Sequence, residues 1–106
     1  MINKKIKIFL TGHNGMVGSA IYRRFRNLGY NNIIVAPKKK LNLLDQKKTF
    51  AFLKKNKPKL VIIAAAKVGG ILDNLRFKNK FIYENLQIQN NLIHGSYLAK
   101  VKNLFL

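Results

Sequence analysis

Hydrophobic and polar residues follow two different periods along this chain, and the change between them predicts its elements. Strand-like segments occur at 5–11, where apolar and polar residues alternate before the segment turns apolar, and at 32–36 and 59–66, which are mainly apolar; another begins at 103–106. Between these segments, apolar residues recur at spacings of three and four, as on a helix, over 16–28, 46–56 and about 77–101. The order β-α-β-α-β-α-β predicts the α/β class, with a Rossmann-like parallel sheet of about four strands flanked by helices.

The helical spacing also predicts which residues share a face in each helix. Asp45 is placed to cap the amino end of the second helix, and Gly29 to end the first. The predicted apolar faces are Met16, Val17, Ala20, Ile21, Phe25 and Leu28 in the first helix, Phe50 and Leu53 in the second, and Ile82, Leu86, Ile93, Tyr97 and Val101 in the third.

The stretch LTGHNGMVGSA (10–20) places three glycines between the first strand and the first helix. In a dinucleotide-binding loop, Gly12 would permit the tight turn and Gly15 would let backbone N–H groups approach a pyrophosphate. Gly18 would let the helix pack close to the strand. The alternative is a glycine-rich turn that binds nothing, but the position between strand and helix favours dinucleotide binding.

The end of the second strand bears on which dinucleotide is bound. NAD sites usually carry an acidic residue there, which accepts from the ribose 2′-hydroxyl. The segment NNIIVAPKKK (31–40) has no acid and carries Lys38, Lys39 and Lys40. Lysines suit the 2′-phosphate of NADP(H), so the segment predicts NADP(H) rather than NAD, although these lysines could also reflect the general excess of lysine.

The chain carries 21 Lys and Arg against 3 Asp and Glu, a formal charge of +18. Such a charge can indicate a nucleic-acid or membrane partner, but the lysines are scattered and not interleaved with aromatic residues. We attribute them to compositional drift and expect no nucleic-acid partner. There is no Cys, and His13 and His94 lie far apart, so no metal site is expected. The longest apolar run, 60–66, is too short to span a membrane, and a cytoplasmic protein is expected.

Four segments resemble one family: GHNGMVGSAI (12–21), LNLLD (41–45), AAAKVGGI (64–71) and FIYEN (81–85), followed by a final LFL. In this order they are similar to the N-terminal part of the GDP-L-fucose synthases. These enzymes are extended short-chain dehydrogenases/reductases, also called NAD-dependent epimerases/dehydratases. The resemblance implies that 1–106 is the N-terminal part of an NADP-binding Rossmann domain. It also implies a reaction in which GDP-4-keto-6-deoxy-D-mannose is epimerised at C3 and C5 and then reduced at C4 by NADPH.

The resemblance also assigns cofactor-binding residues. The loop around the pyrophosphate would comprise Gly12, His13, Asn14, Gly15, Met16, Val17 and Gly18, and Lys38 would lie near the 2′-phosphate. The residues near the adenosine would be Asn42, Leu43 and Asp45. The residues that line the cofactor at the end of the third strand would be Ala64, Ala65, Ala66 and Lys67. Asn14 departs from the family, which often has Arg there, and this weakens the NADP assignment. Asp45 could be a helix cap, an acceptor for the adenine amino group, or both. Lys67 could contact phosphate or substrate, or be a solvated loop lysine.

No catalytic residue is predicted within the chain. The superfamily uses a Tyr with a Lys four residues later, and a Ser. None of Tyr22, Tyr30, Tyr83 and Tyr97 has a Lys at that offset, so the catalytic and substrate-binding parts are expected beyond this chain. The resemblance implies that the helix over 77–101 forms a two-fold homodimer, the alternative being an ordinary crossover helix. A nucleotide-binding module without catalysis is one alternative function, and a basic nucleic-acid-binding domain is a less favoured one.

Overall fold

The computed structural model describes residues 4–37, 39–64 and 78–105. Its elements follow the predicted order, and the α/β prediction is confirmed. They are β1 (Ile8–Thr11), α1 (Met16–Asn27), β2 (Ile33–Ile34), α2 (Gln46–Asn56), β3 (Leu60–Ile63), α3 (Lys78–Leu98) and β4 (Asn103–Phe105). β1 and β2 are shorter than the predicted segments 5–11 and 32–36.

All four strands are parallel and lie in the order β2-β1-β3-β4. The chain moves outward from β1 to β2 and then crosses back past β1 to β3. Thr11 pairs with Ile63, so the carboxyl ends of β1 and β3 are level. The crevice beyond these two ends is the topological switch point, where α/β sheets bind their ligands.

The sheet has an apolar core on each face. Because side chains alternate along a strand, Phe9, Val61 and Ile63 lie in one core while Ile8, Leu10 and Ile62 lie in the other. The first core includes Leu53 from α2 and Leu92 from α3. The second is covered by Ile21, Tyr22 and Phe25 from α1. Burial on both faces explains why β3 is apolar throughout, as predicted.

The predicted face of α1 is partly wrong. Met16 and Val17 are 89% and 64% exposed, and Ala20 and Leu28 are exposed as well. The helix meets the end of β1 at the buried Gly18, so the residues that pack are those one and two turns beyond it, Ile21, Tyr22 and Phe25. The first turn of α1 therefore projects past the edge of the sheet.

The apolar spacing of α3 identified its exposed side rather than its packed side. Leu86, Ile93 and Tyr97 are exposed, Val101 follows the end of the helix, and the side chain of Ile82 lies outside the description. The buried residues are Asn91, Leu92, Gly95 and Ser96. A Cβ added at Gly95 would lie 2.8 Å from both Leu53 Cδ1 and Phe50 Cδ1, so α2 and α3 touch where α3 has no side chain. In the second helix, Phe50 and Leu53 do share the packed face, as predicted.

Within the described residues, no helix combines the length and the apolar character that crossing a membrane requires.

Candidate cofactor site

The glycine loop begins at the carboxyl end of β1 and is fixed by a few hydrogen bonds. Thr11 is buried, and its Oγ1 donates to the Ile62 carbonyl of β3 at 3.2 Å. Gly12 adopts φ 77°, a left-handed conformation that side chains disfavour. The Gly15 N–H then donates to the Gly12 carbonyl at 3.1 Å. Gly12 thus makes the tight turn that the sequence predicts.

Gly18 is required by the fold itself. A Cβ at this position would lie 1.8 Å from the Gly12 carbonyl oxygen and 2.6 Å from its carbon, distances at which backbone atoms must move apart. The expected close approach is therefore present, and its partner is the carbonyl that follows the strand. Because of this contact, the start of α1 lies directly against the turn.

Gly15 has no comparable structural reason to be glycine. Its φ is −77°, which any residue adopts, and a Cβ there would meet only the Gly12 carbonyl oxygen, at 3.5 Å, an ordinary contact. Because Gly15 is the cap residue of α1, a side chain there would stand beside the amino end of the helix. A glycine that leaves this space free fits the approach of a pyrophosphate, which supports a cofactor at this loop.

The amino ends of α1 and α2 differ in their capping. Asp45 caps α2, since its Oδ1 accepts from the Lys48 N–H at 3.0 Å, so the predicted cap is confirmed. The cap residue of α1 is Gly15, with no side-chain hydrogen bond and no acidic residue in the first turn. The first N–H groups of a helix have no partner within it, and they form the positive end of its dipole. The uncapped start of α1 is thus suited to hold an anionic group.

The loop before α2 is attached to α3. Asn42 Oδ1 accepts from the Leu44 N–H at 3.0 Å, and the Asp45 N–H donates to the Asn42 carbonyl at 2.9 Å. The Leu43 carbonyl accepts from Asn91 Nδ2 of α3 at 2.8 Å. Asn91 is 2% exposed and was missed in the sequence analysis, because no local pattern links two residues so far apart in the chain.

The structure brings two of the predicted segments together. The Ala64 N–H donates to the Thr11 carbonyl at 3.2 Å, which places the start of the loop after β3 beside the glycine loop. The amino end of α2 lies at this same edge of the sheet, because each crossover helix starts where a parallel strand ends. His13 is half-buried, whereas Asn14 is exposed. Lys38, Ala65, Ala66 and Lys67 lie outside the described residues.

Comparison with models of known protein families identifies the family to which this chain belongs. The family model described as "NAD dependent epimerase/dehydratase family" matches residues 8–106, which covers the sheet, the three helices and the glycine loop. The chain belongs to the NAD dependent epimerase/dehydratase family. This membership agrees with the resemblance found in the sequence.

Individual members of the epimerase/dehydratase family are similar over nearly the whole chain. A putative GDP-L-fucose synthase 2 of Arabidopsis thaliana is 45% identical over 104 residues, which are 98% of this chain and 32% of the relative. A Campylobacter jejuni GDP-mannoheptose C4 reductase, solved with NADP bound, superimposes with a TM-score of 0.82 at 34% identity, over 98% of this chain and 33% of that one. A GDP-L-fucose synthetase from Naegleria fowleri bound to NADP gives a TM-score of 0.80 at 27% identity, over 98% and 31%. The chain spans about a third of the length of these relatives.

The described residues contain no group of three or more side chains that could hold a metal ion.

Proposed function

We propose that this chain is the cofactor-binding part of an NADP-dependent enzyme that epimerises and reduces a GDP-sugar, of the GDP-L-fucose synthase type. One observation carries the proposal: an uncapped helix start, left open by Gly15, lies at the switch point of the sheet. In this assignment the loop from Gly12 to Gly18 binds the pyrophosphate through backbone N–H groups. The bound NADPH would supply the hydride for a carbonyl reduction.

The choice of NADP(H) rests on charge at the end of β2. A ribose 2′-phosphate needs cationic partners, and the segment that follows β2 contains Lys38, Lys39 and Lys40 and no acid. Two relatives solved with NADP bound support this choice. Asn42, Leu43 and Asp45 are assigned to the adenosine, and Ala64, Ala65, Ala66 and Lys67 to the end of β3. In this assignment Asp45 keeps its role as a cap and uses its carboxylate to accept from the adenine amino group.

The sugar assignment rests on relatives. The proteins similar to this chain include one named for GDP-L-fucose and one named for a GDP-mannoheptose. We assign GDP-4-keto-6-deoxy-D-mannose as the substrate of the whole enzyme, with 3,5-epimerisation followed by 4-reduction. The residues that carry this chemistry would lie in other parts of the enzyme, since no Tyr here precedes a Lys at the required offset. A cytoplasmic location is part of the same proposal.

The proposal includes a homodimer formed through α3. The exposed side of this helix carries Tyr83, Leu86, Ile93 and Tyr97, with exposures between 38% and 76%. Their spacing of three, seven and four places them on one stripe of the helix, as at a helix–helix contact. An apolar stripe of this length is more than a crossover helix needs.

The test is titration of the chain with NADPH and NADH, followed by isothermal calorimetry. We expect NADPH to bind more tightly, because only NADPH offers a 2′-phosphate to the lysines after β2. Lys38→Gln should weaken NADPH binding by about five- to tenfold, the size expected for one charge-assisted contact, and leave NADH binding unchanged.

Lys55→Gln is the matched control, since it removes the same charge from an exposed position in the last turn of α2, away from the proposed cofactor site. Equal affinities for the two dinucleotides would contradict the assignment of NADP. Absence of binding by either dinucleotide, in a chain shown to be folded by circular dichroism, would contradict a cofactor role.

A further inference from the structure

A second concave surface lies at the end of the fold opposite the glycine loop. It is a cleft of about 410 Å³ between the carboxyl ends of α2 and α3 and the segments that lead into β3 and β4. The helices run antiparallel to the strands, so this is the amino edge of the sheet. Five lysines line it: Lys54, Lys57, Lys59, Lys100 and Lys102. We call it the lysine cleft.

The carboxylates of the described residues lie far from the lysine cleft. Asp45 caps the opposite end of α2, about 14 Å from Lys54 along the helix at 1.5 Å per residue. Glu84 lies about 21 Å along α3 from Leu98, the last residue of that helix, at the same rise per residue. Among the described residues, no acid is therefore near enough to neutralise the five lysines.

The helix ends account for only a small part of this charge. The carboxyl ends of α2 and α3 both point towards the cleft, and each carries about half a unit of negative charge. Together they offset about one of the five positive charges. Within the described part of the chain, about four positive charges remain on exposed lysines around a cleft that is large enough for one small molecule.

Two of the lysines occupy positions where glycine is usual. Lys57 has φ 46° just after α2, and Lys100 has φ 60° just after α3. A left-handed residue after a helix is most often glycine, because a Cβ makes this conformation less favourable. At both helix ends the chain instead places a charged side chain beside the cleft.

We propose that the lysine cleft binds a small anion that carries two or three linked phosphate groups. A terminal phosphate contributes about −1.5 to −2 at neutral pH and a bridging phosphate about −1, so a chain of two or three carries about −3 to −4, close to the excess positive charge. Pro58, Leu98 and Ala99 give the cleft an apolar lining, suited to the uncharged part of an organic phosphate. None of the described residues that line the cleft is aromatic, which favours a compact phosphate over a nucleic-acid strand that stacks its bases.

The experiment measures binding of tripolyphosphate and of ATP to the chain by isothermal calorimetry at 0.15 M salt. The test variant combines Lys54→Gln, Lys59→Gln and Lys102→Gln, which leaves both left-handed residues intact. The control combines Lys47→Gln, Lys48→Gln and Lys55→Gln, all exposed lysines of α2 that do not line the cleft. We expect the test variant to lose at least about tenfold in affinity for tripolyphosphate, and the control to lose less than about threefold.

Amide chemical shifts locate the site independently. Tripolyphosphate should shift residues 57–59 and 98–102 and leave 12–18 unchanged. ATP binding more tightly than tripolyphosphate at the same residues would identify a nucleotide as the natural form, and equal binding would identify the phosphate chain alone.

Three results would overturn the proposal. Equal losses in the test and control variants would mean that only the overall charge attracts the anion. Shifts confined to residues 12–18 would place the anion at the glycine loop. Tight binding of a short oligothymidylate without binding of tripolyphosphate would indicate a nucleic-acid surface instead.

Discussion

At the residue scale, the three glycines of the loop serve different purposes. Gly12 supplies a left-handed turn, and Gly18 removes a clash with the Gly12 carbonyl. Gly15 meets neither need, since its backbone is extended and a Cβ there would make only an ordinary contact with the Gly12 carbonyl oxygen. Folding therefore accounts for two of the glycines, and the proposed binding of a pyrophosphate would account for the third.

Alanine at two of these positions should separate folding from binding. Gly18→Ala should lower the free energy of unfolding by about 3 kcal/mol, because the new methyl group overlaps backbone. Gly15→Ala should change it by no more than about 1 kcal/mol, since alanine is only a poorer cap residue. NADPH affinity should nevertheless fall by about tenfold in Gly15→Ala, because the methyl group fills the space assigned to the pyrophosphate.

Urea unfolding and NADPH titration of both variants provide the two measurements. The assignment of a folding role to Gly18 and a binding role to Gly15 would be refuted if Gly15→Ala were as unstable as Gly18→Ala. It would also be refuted if Gly15→Ala bound NADPH as tightly as the unchanged chain does.

At the element scale, local patterns in the sequence predicted the elements but misjudged helix faces. The order of strands and helices, the Asp45 cap and the Gly12 turn depend on neighbouring residues, and all three are present in the structure. The packing of α3 depends on Gly95, and its hydrogen bond to the loop before α2 depends on Asn91. Neither residue is apolar, so hydrophobic spacing could not find them.

The contact between α2 and α3 can be tested at Gly95. In Gly95→Ala, crowding against Phe50 and Leu53 should cost about 1–3 kcal/mol. Alanine also favours the helix by about 1 kcal/mol, so we expect a net loss of stability of up to about 2 kcal/mol.

Adding Phe50→Leu to Gly95→Ala should recover part of this loss, because a smaller side chain gives the methyl group room. Urea unfolding of the unchanged chain, the two single variants and the double variant provides the double-mutant cycle that measures this coupling. Strictly additive effects would mean that Phe50 does not oppose the new methyl group.

At the scale of the whole molecule, two effects compete when the chain associates with a second copy. Burial of apolar surface favours association, and repulsion between the positive charges opposes it. A dimer through α3 buries the stripe of Tyr83, Leu86, Ile93 and Tyr97 but brings together two copies that each carry +18. Salt shortens the range of this repulsion and leaves apolar contact intact. Association should therefore strengthen as the ionic strength rises.

Light scattering coupled to size exclusion tests this expectation. At 0.5 M NaCl the chain should be more dimeric than at 0.05 M. Leu86→Gln combined with Tyr97→Gln should make it monomeric in both, without changing its charge. Leu28→Gln, at an exposed leucine outside the stripe, is the control and should leave the dimer intact. A chain that stays monomeric at high salt would refute the dimer.

The contact between Gly18 and the Gly12 carbonyl has a consequence for the cost of binding. Three interactions restrain the loop: that contact, the hydrogen bond donated by the Gly15 N–H, and the hydrogen bond from the Thr11 hydroxyl to β3. The backbone of the loop therefore has little conformational entropy left to lose when a ligand binds. Ordering a mobile loop would reduce the affinity, whereas here the ordering occurs when the sheet folds. Cofactor capture by this chain should then resemble docking to a rigid surface, with a rate set by diffusion and charge rather than by rearrangement of the loop.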